Sequence, residues 1–161
     1  MGTVKTKIDL GPFCKLHYDY TRQRFDMTTP FVFRGWRYAT DGKILVRVPC
    51  RAKDTDDNPR PTKYVEKICE PIAKAKKWYK LKRYPACKEC KGKGESDGID
   101  CDCRELFAEP DFGGVKISKH YCYLISRLPG AEWAEHDGGA ILFRFYVPFG
   151  FGEGVVMGMR K

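Results

Sequence analysis

Cys87-Lys-Glu-Cys90-Lys-Gly-Lys-Gly94 is followed, after a polar stretch, by Cys101-Asp-Cys103. A C-x2-C pair places two sulfurs on one tight turn, and a second pair completes a set of four suited to tetrahedral Zn2+. Gly92 and Gly94 stand where such a turn needs positive φ and where backbone N–H groups approach the thiolates. The intervening Gly94-Glu-Ser-Asp-Gly98 has nothing apolar to bury, so a metal would supply most of the order of this lobe. Cys87, Cys90, Cys101 and Cys103 are therefore expected to hold one structural zinc ion with no open coordination position. Two disulfides, or four ordinary thiols, are the competing readings.

With 161 residues the chain has room for one domain with an insertion. It contains no apolar run of membrane-spanning length, and its first residues lack the hydrophobic stretch of a signal peptide. A cytoplasmic protein without a membrane partner is expected. In that compartment the isolated Cys14, Cys50, Cys69 and Cys122 read as small buried hydrophobes. Charge is concentrated: residues 63–93 hold eleven Lys/Arg against three Glu, +8 of the net +9. A basic cap on a nearly neutral body is commonly the footprint of a polyanion partner. No nucleophile–base pair, phosphate loop or open metal site is visible, so no enzymatic activity is expected.

Along the chain, Asp9 to Pro12 can cap a short helix over residues 13–20. Residues 31–49 read as a hairpin about Asp41-Gly42, with Ile44, Val46 and Val48 on one buried face and Lys43, Leu45 and Arg47 on the other. Asp54, Asp56 and Asp57 lack the spacing of a calcium loop and read as solvated acid. Thr62 opens a helix with a stripe of Val65, Ile68, Cys69 and Ile72, broken at Pro71. Lys74, Lys76, Lys77, Trp78, Lys80, Lys82 and Arg83 follow, expected on a second, basic helix that contacts nucleic-acid phosphates. Trp78 and Tyr79 either anchor that helix or stack on bases. Further on, Val115 to Ile117 is a short strand, and Ser118 caps a helix with the stripe Tyr121, Leu124, Ile125 and Leu128. Residues 132–137 read as an exposed strand, 140–149 as another strand, 150–154 as a turn, and 155–159 as the return. At an offset of 110 residues Phe33-Arg34 meets Phe143-Arg144 and Gly42 meets Gly152, a hint of duplication.

Ala39-Thr-Asp-Gly42, with Leu45 and Val46 beyond it, resembles the hairpin motif of bacterial DNA sliding clamps, the β subunit of DNA polymerase III. The final Gly154-Val-Val-Met-Gly-Met-Arg-Lys161 resembles the C-terminal motif of the same family, with Gly158 at the place of its proline. The chain is also similar to small bacteriophage proteins that join such a hairpin to a Cys-x-x-Cys-x-Gly-x-Gly insertion. The resemblance implies an α+β, sliding-clamp-like domain of two helix-plus-hairpin halves, with two sheets outside and two helices facing DNA. Residues 1–50 and 110–161 would form this body, and residues 51–109 an inserted basic segment with the zinc lobe. By position in the C-terminal motif, Val155, Met157 and Met159 would line a site for partner peptides. One domain is present where a clamp subunit has three, so a ring would need six copies, and the oligomeric state stays open. The expected function is a DNA-binding, phage-type accessory protein. The alternative is an interaction protein whose basic cap docks on an acidic host protein and inhibits or diverts a replication or defence complex.

Overall fold

Alternation of side chains in the two hairpins decides the architecture. The computed structural model describes residues 7–17, 24–57, 59–108, 112–148 and 150–159. In chain order the first elements are strands β1 (Phe31–Phe33), β2 (Trp36–Thr40) and β3 (Ile44–Pro49), then helix α1 (Thr62–Cys69). Short strands β4 (Tyr79–Lys80), β5 (Glu95–Ser96) and β6 (Ile99–Asp100) follow. Helix α2 (Lys119–Ser126) then precedes β7 (Glu132–His136), β8 (Ala140–Val147) and β9 (Gly150–Met157). Seven strands form one antiparallel sheet in the order β1-β2-β3-β9-β8-β7-β4, while β5 and β6 pair only with each other. The domain is α+β and mostly sheet, and no helix among the described residues is long and apolar enough to cross a membrane.

The last strand inserts next to the first hairpin, with Ile44 opposite Val156 and Val46 opposite Gly154. Ile44, Val46, Phe143 and Phe145 thereby enter one core, as the matched hairpin patterns predict. On this face lie α2, through Tyr121, Leu124 and Ile125, Leu128 just beyond it, and the 3-10 turn Gly11–Phe13. Ser118 caps α2 by accepting the His120 N–H at 3.2 Å. The opposite face is buried too. Leu45, Tyr38, Leu142 and Val155 pack there with Val65 and Cys69 of α1 and with Ile72.

Several expectations change. The 31–49 hairpin has two buried faces, because its second face carries Leu45 and Tyr38 against α1. Ile68, expected in the α1 stripe, is exposed, while Val65, Cys69 and Ile72 are buried. The α1 helix belongs to the layering of the body, with one helix on each face of a single sheet. The resemblance implies two sheets outside and two helices facing DNA; the described residues form one seven-stranded and one two-stranded sheet. Residues 150–154 are strand, paired in register with β8, so the 110-residue offset sets Gly42 of a turn against Gly152 of β9. Val115 to Ile117 contributes only a bridge between Val115 and Phe112, beside one between Ser118 and Phe107. Cys14, Cys69 and Cys122 are buried, but Cys50 is only half-buried in a loop. The expected helix over 13–20 is a 3-10 turn ending at Phe13, and residues 18–20 lie outside the described residues.

The glycines of β9 serve packing. Gly152 faces Phe145 and Gly154 faces Phe143 in the register, and the two aromatic rings lie over these glycines. A Cβ at Gly154 would stand 2.3 Å from the Phe143 ring and 2.2 Å from the Leu45 carbonyl oxygen. Because backbone lines one side of this space, repacking cannot relieve it. Gly154→Ala is expected to lower the unfolding free energy by about 2 kcal/mol or more, read as a reduced urea midpoint with unchanged m-value.

Candidate metal centre and basic groove

The four sulfurs converge. Sγ of Cys87 lies 3.7 Å from Sγ of Cys101, and Sγ of Cys90 lies 3.7 Å from that of Cys103. All four lie within 4.8 Å of one another. A tetrahedral ion with metal–sulfur bonds of about 2.3 Å has sulfur–sulfur edges of about 3.8 Å, so the set fits a single metal ion. It does not fit disulfides, which bring sulfurs to about 2.05 Å, and all eight cysteines are free.

Local sequence builds this geometry. The Lys91 N–H donates to the Cys87 carbonyl at 2.8 Å and the Lys93 N–H to that of Cys90 at 3.1 Å, closing the first knuckle. The Gly94 N–H donates to Cys90 Sγ at 3.3 Å. Gly94 has φ +74°, and a Cβ there would meet the His120 ring at 2.5 Å. The β5–β6 hairpin turns at Asp97-Gly98, both at positive φ, and returns the chain to Cys101. Burial pushes the Cys90 thiol up, but the Gly94 and Gly92 N–H groups and the sulfurs of Cys103 and Cys101 outweigh it and bring it down to about 7. Cys103 is held well above the ordinary thiol range by burial and by the neighbouring sulfurs. The Cys90 thiol thus ionises more readily than that of Cys103, from which a bound cation must draw the proton.

The lobe is fastened to the body by Arg104. Its Nε donates to the Gly94 carbonyl at 2.7 Å, and its guanidinium lies 3.8 Å from both Asp41 and Asp100. Asp41 also accepts the Tyr121 hydroxyl through Oδ2, while its Oδ1 takes the N–H groups of Lys43 and Ile44 at 2.9 and 3.1 Å. Beneath the lobe His120 is 2% exposed, and neither ring nitrogen has a protein partner. Burial, helped by the Arg104 charge, lowers its pKa from 6.5 to about 4.

The basic run is not a helix. Pro71 passes α1 into the 3-10 turn Glu70–Lys74, and residues 75–78 are extended into β4. Aromatic stacking decides this: Tyr79 lies against Trp133 at 4.7 Å, and the Leu81 N–H continues the ladder to Ala131. Of the two roles open to Trp78 and Tyr79, anchoring is the one seen. Trp78 packs on the second core, with the Arg144 guanidinium 4.3 Å above its ring. Lys74, at the end of the turn, and Lys76 and Lys77, between it and β4, are exposed. Lys80, Lys82 and Arg83 line a groove of about 580 Å³, together with Arg127, Pro129, Gly130 and Tyr146. Arg127 is the groove cation that sequence reading missed, because only the α2–β7 connection brings it there. Glu132, the one acid among the described residues that line the groove, is paired with Arg144 at 3.0 Å.

Val155, Met157 and Met159 differ in exposure. Val155 is buried in the second core, Met157 is exposed, and the Met159 N–H is tied to the Lys116 carbonyl at 2.7 Å. Alternation along β9 separates Val155 from water because α1 covers that part of the sheet.

Purified chain is expected to carry one metal ion per molecule by elemental analysis, and Cys90→Ser to lose it. In that variant amides of residues 87–104 exchange rapidly while those of β8 and β9 stay protected. His120 gives a separate acid signature. Its folded pKa lies below the unfolded value, so its contribution is complete above about pH 6.5 and is lost as pH falls toward 4. His120→Phe is expected to flatten the stability–pH curve across that window by up to about 1.4 kcal/mol per pH unit, measured by urea titration. Compared with known proteins, the chain matches no family model, no curated protein and no solved structure.

Proposed function

We propose that this protein binds nucleic acid through the groove of Lys80, Lys82, Arg83 and Arg127, and that the four cysteines hold a structural zinc ion. The observation that carries the reading is four cations lining one concave surface whose only acid among the described residues, Glu132, is paired with Arg144. Phosphate contacts need this arrangement, with several guanidinium and ammonium groups along a track. Leu81 and Tyr84 pack against the first core and so turn the intervening basic residues toward solvent. Zinc is the ion favoured by four thiolates in a closed tetrahedral set, where it acts as a staple without an open coordination position.

A sliding-clamp-like reading of the body is supported by adjacency. The hairpin motif and the C-terminal motif, over 100 residues apart, supply neighbouring strands β3 and β9. Placement among bacteriophage accessory proteins of the host cytoplasm rests on the motif likeness alone.

Binding is tested by fluorescence anisotropy on DNA and RNA of unrelated sequence over a salt series. Replacing Lys82, Arg83 and Arg127 by Glu is expected to weaken binding to all sequences and to make the slope of log affinity against log salt shallower by roughly one unit per lost contact. Replacing Lys74, Lys76 and Lys77 by Glu, outside the groove, is expected to do less. Wild-type protein that binds no nucleic acid at low salt would reject the reading and favour an acidic protein partner.

A further inference from the structure

Tyr146 and Phe151 face each other across the β8–β9 register, with ring centroids 5.1 Å apart and planes at 36°. They are 47% and 45% exposed, unusual for two large aromatic side chains side by side. Tyr146 lines the same groove as Lys80, Lys82, Arg83 and Arg127. Its backbone N–H donates to the Pro129 carbonyl at 2.8 Å, and its ring rests against Gly130 so closely that a Cβ there would lie 2.3 Å from it. The Arg144 guanidinium lies 5.5 Å from the Phe151 ring and is itself fixed by Glu132 and Trp78. Both rings are therefore set before any ligand arrives, which lowers the ordering cost of binding.

We infer that the groove takes single-stranded nucleic acid, with unpaired bases stacking on Tyr146 and Phe151 while the cations follow the phosphates. The inference rests on the proposed function and specifies its ligand. In a duplex the bases are already stacked and their faces closed, so an exposed ring pair offers it nothing. An unpaired strand exposes the face of every base, and stacking on a fixed ring is tolerant of sequence. Charge and rings also lie in the right relation. Lys80 and Lys82 are alternate residues, which an extended chain spaces about 6.6 Å apart, and both line the groove together with Tyr146.

The test compares an oligothymidylate of about 15 nucleotides with a duplex of the same length at one salt concentration. Wild type, Tyr146→Ala, Tyr146→Trp and the Lys82/Arg83/Arg127→Glu triple variant are measured, with near-UV circular dichroism to establish folding. Expected are tighter binding of the single strand than of the duplex and a loss of at least about fivefold for Tyr146→Ala on the single strand only. Tyr146→Trp should retain affinity, and the charge variant should weaken both ligands. Equal or tighter binding of the duplex, or the same Tyr146→Ala loss on both ligands, overturns the single-strand inference and leaves the basic groove standing. Failure of wild type to bind either ligand overturns the proposed function with it. Should Tyr146→Ala not fold, the single-strand preference of wild type and of Tyr146→Trp decides the matter.

Discussion

Pairing of β3 with β9 joins segments separated by more than 100 residues, and the remaining structure hangs on it. Without it there would be two separate meanders, each with apolar side chains on both faces and no cover for either. With it the centre of the sheet becomes dry on both sides. Val46, Val156, Phe143 and Phe145 are fully buried toward α2, and Leu142 toward α1. Each such side chain contributes roughly 1.5–3 kcal/mol of burial, set against the entropy of closing a long loop, which grows only slowly with length.

A polar row fixes the register of this joint. Glu132, Arg144, Glu153, Arg47 and Tyr38 stand opposite one another in sequence across five strands. Arg47 reaches Glu153 and the Tyr38 hydroxyl, each at 3.0 Å, and its guanidinium lies 3.9 Å above Trp36. Half-buried pairs of this kind add little net stability once desolvation is counted. A slip of one residue, however, would turn Glu153 to the opposite, apolar face and leave Arg47 unpaired. The row also marks where cover by α1 ends and the exposed aromatic end of the sheet begins.

What the sequence made legible follows from the range of each signal. The cysteine set could be read because both pairs are local in sequence, and the Tyr121–Leu128 stripe because one helix face meets one core. The strand alternation at 44–48 was visible, but period two cannot tell one buried face from two when Leu45 sits among charged neighbours. The glycines at 150–154 carry a turn signal in isolation, whereas their purpose, room for Phe143 and Phe145, exists only once β8 lies beside them. The basic run was expected on a second helix beyond the break at Pro71. Stacking of Tyr79 on Trp133 and a ladder bond to Ala131 overrode that expectation. Arg104, Arg127 and His120 acquire their places only through the tertiary fold, and no local pattern distinguishes them.

Asp41 divides its carboxylate between two tasks. Oδ1 holds the backbone of the hairpin turn, and Oδ2 faces Tyr121 and Arg104, which in turn grips the carbonyl of Gly94. The turn and the cysteine lobe are therefore thermodynamically linked through one side chain. Linkage of this kind is reciprocal. Whatever rigidifies the turn lends affinity to the distant thiols, and an ion seated among them returns the same free energy to the turn. In that sense the hairpin is part of the metal's binding constant, although none of its atoms is a ligand.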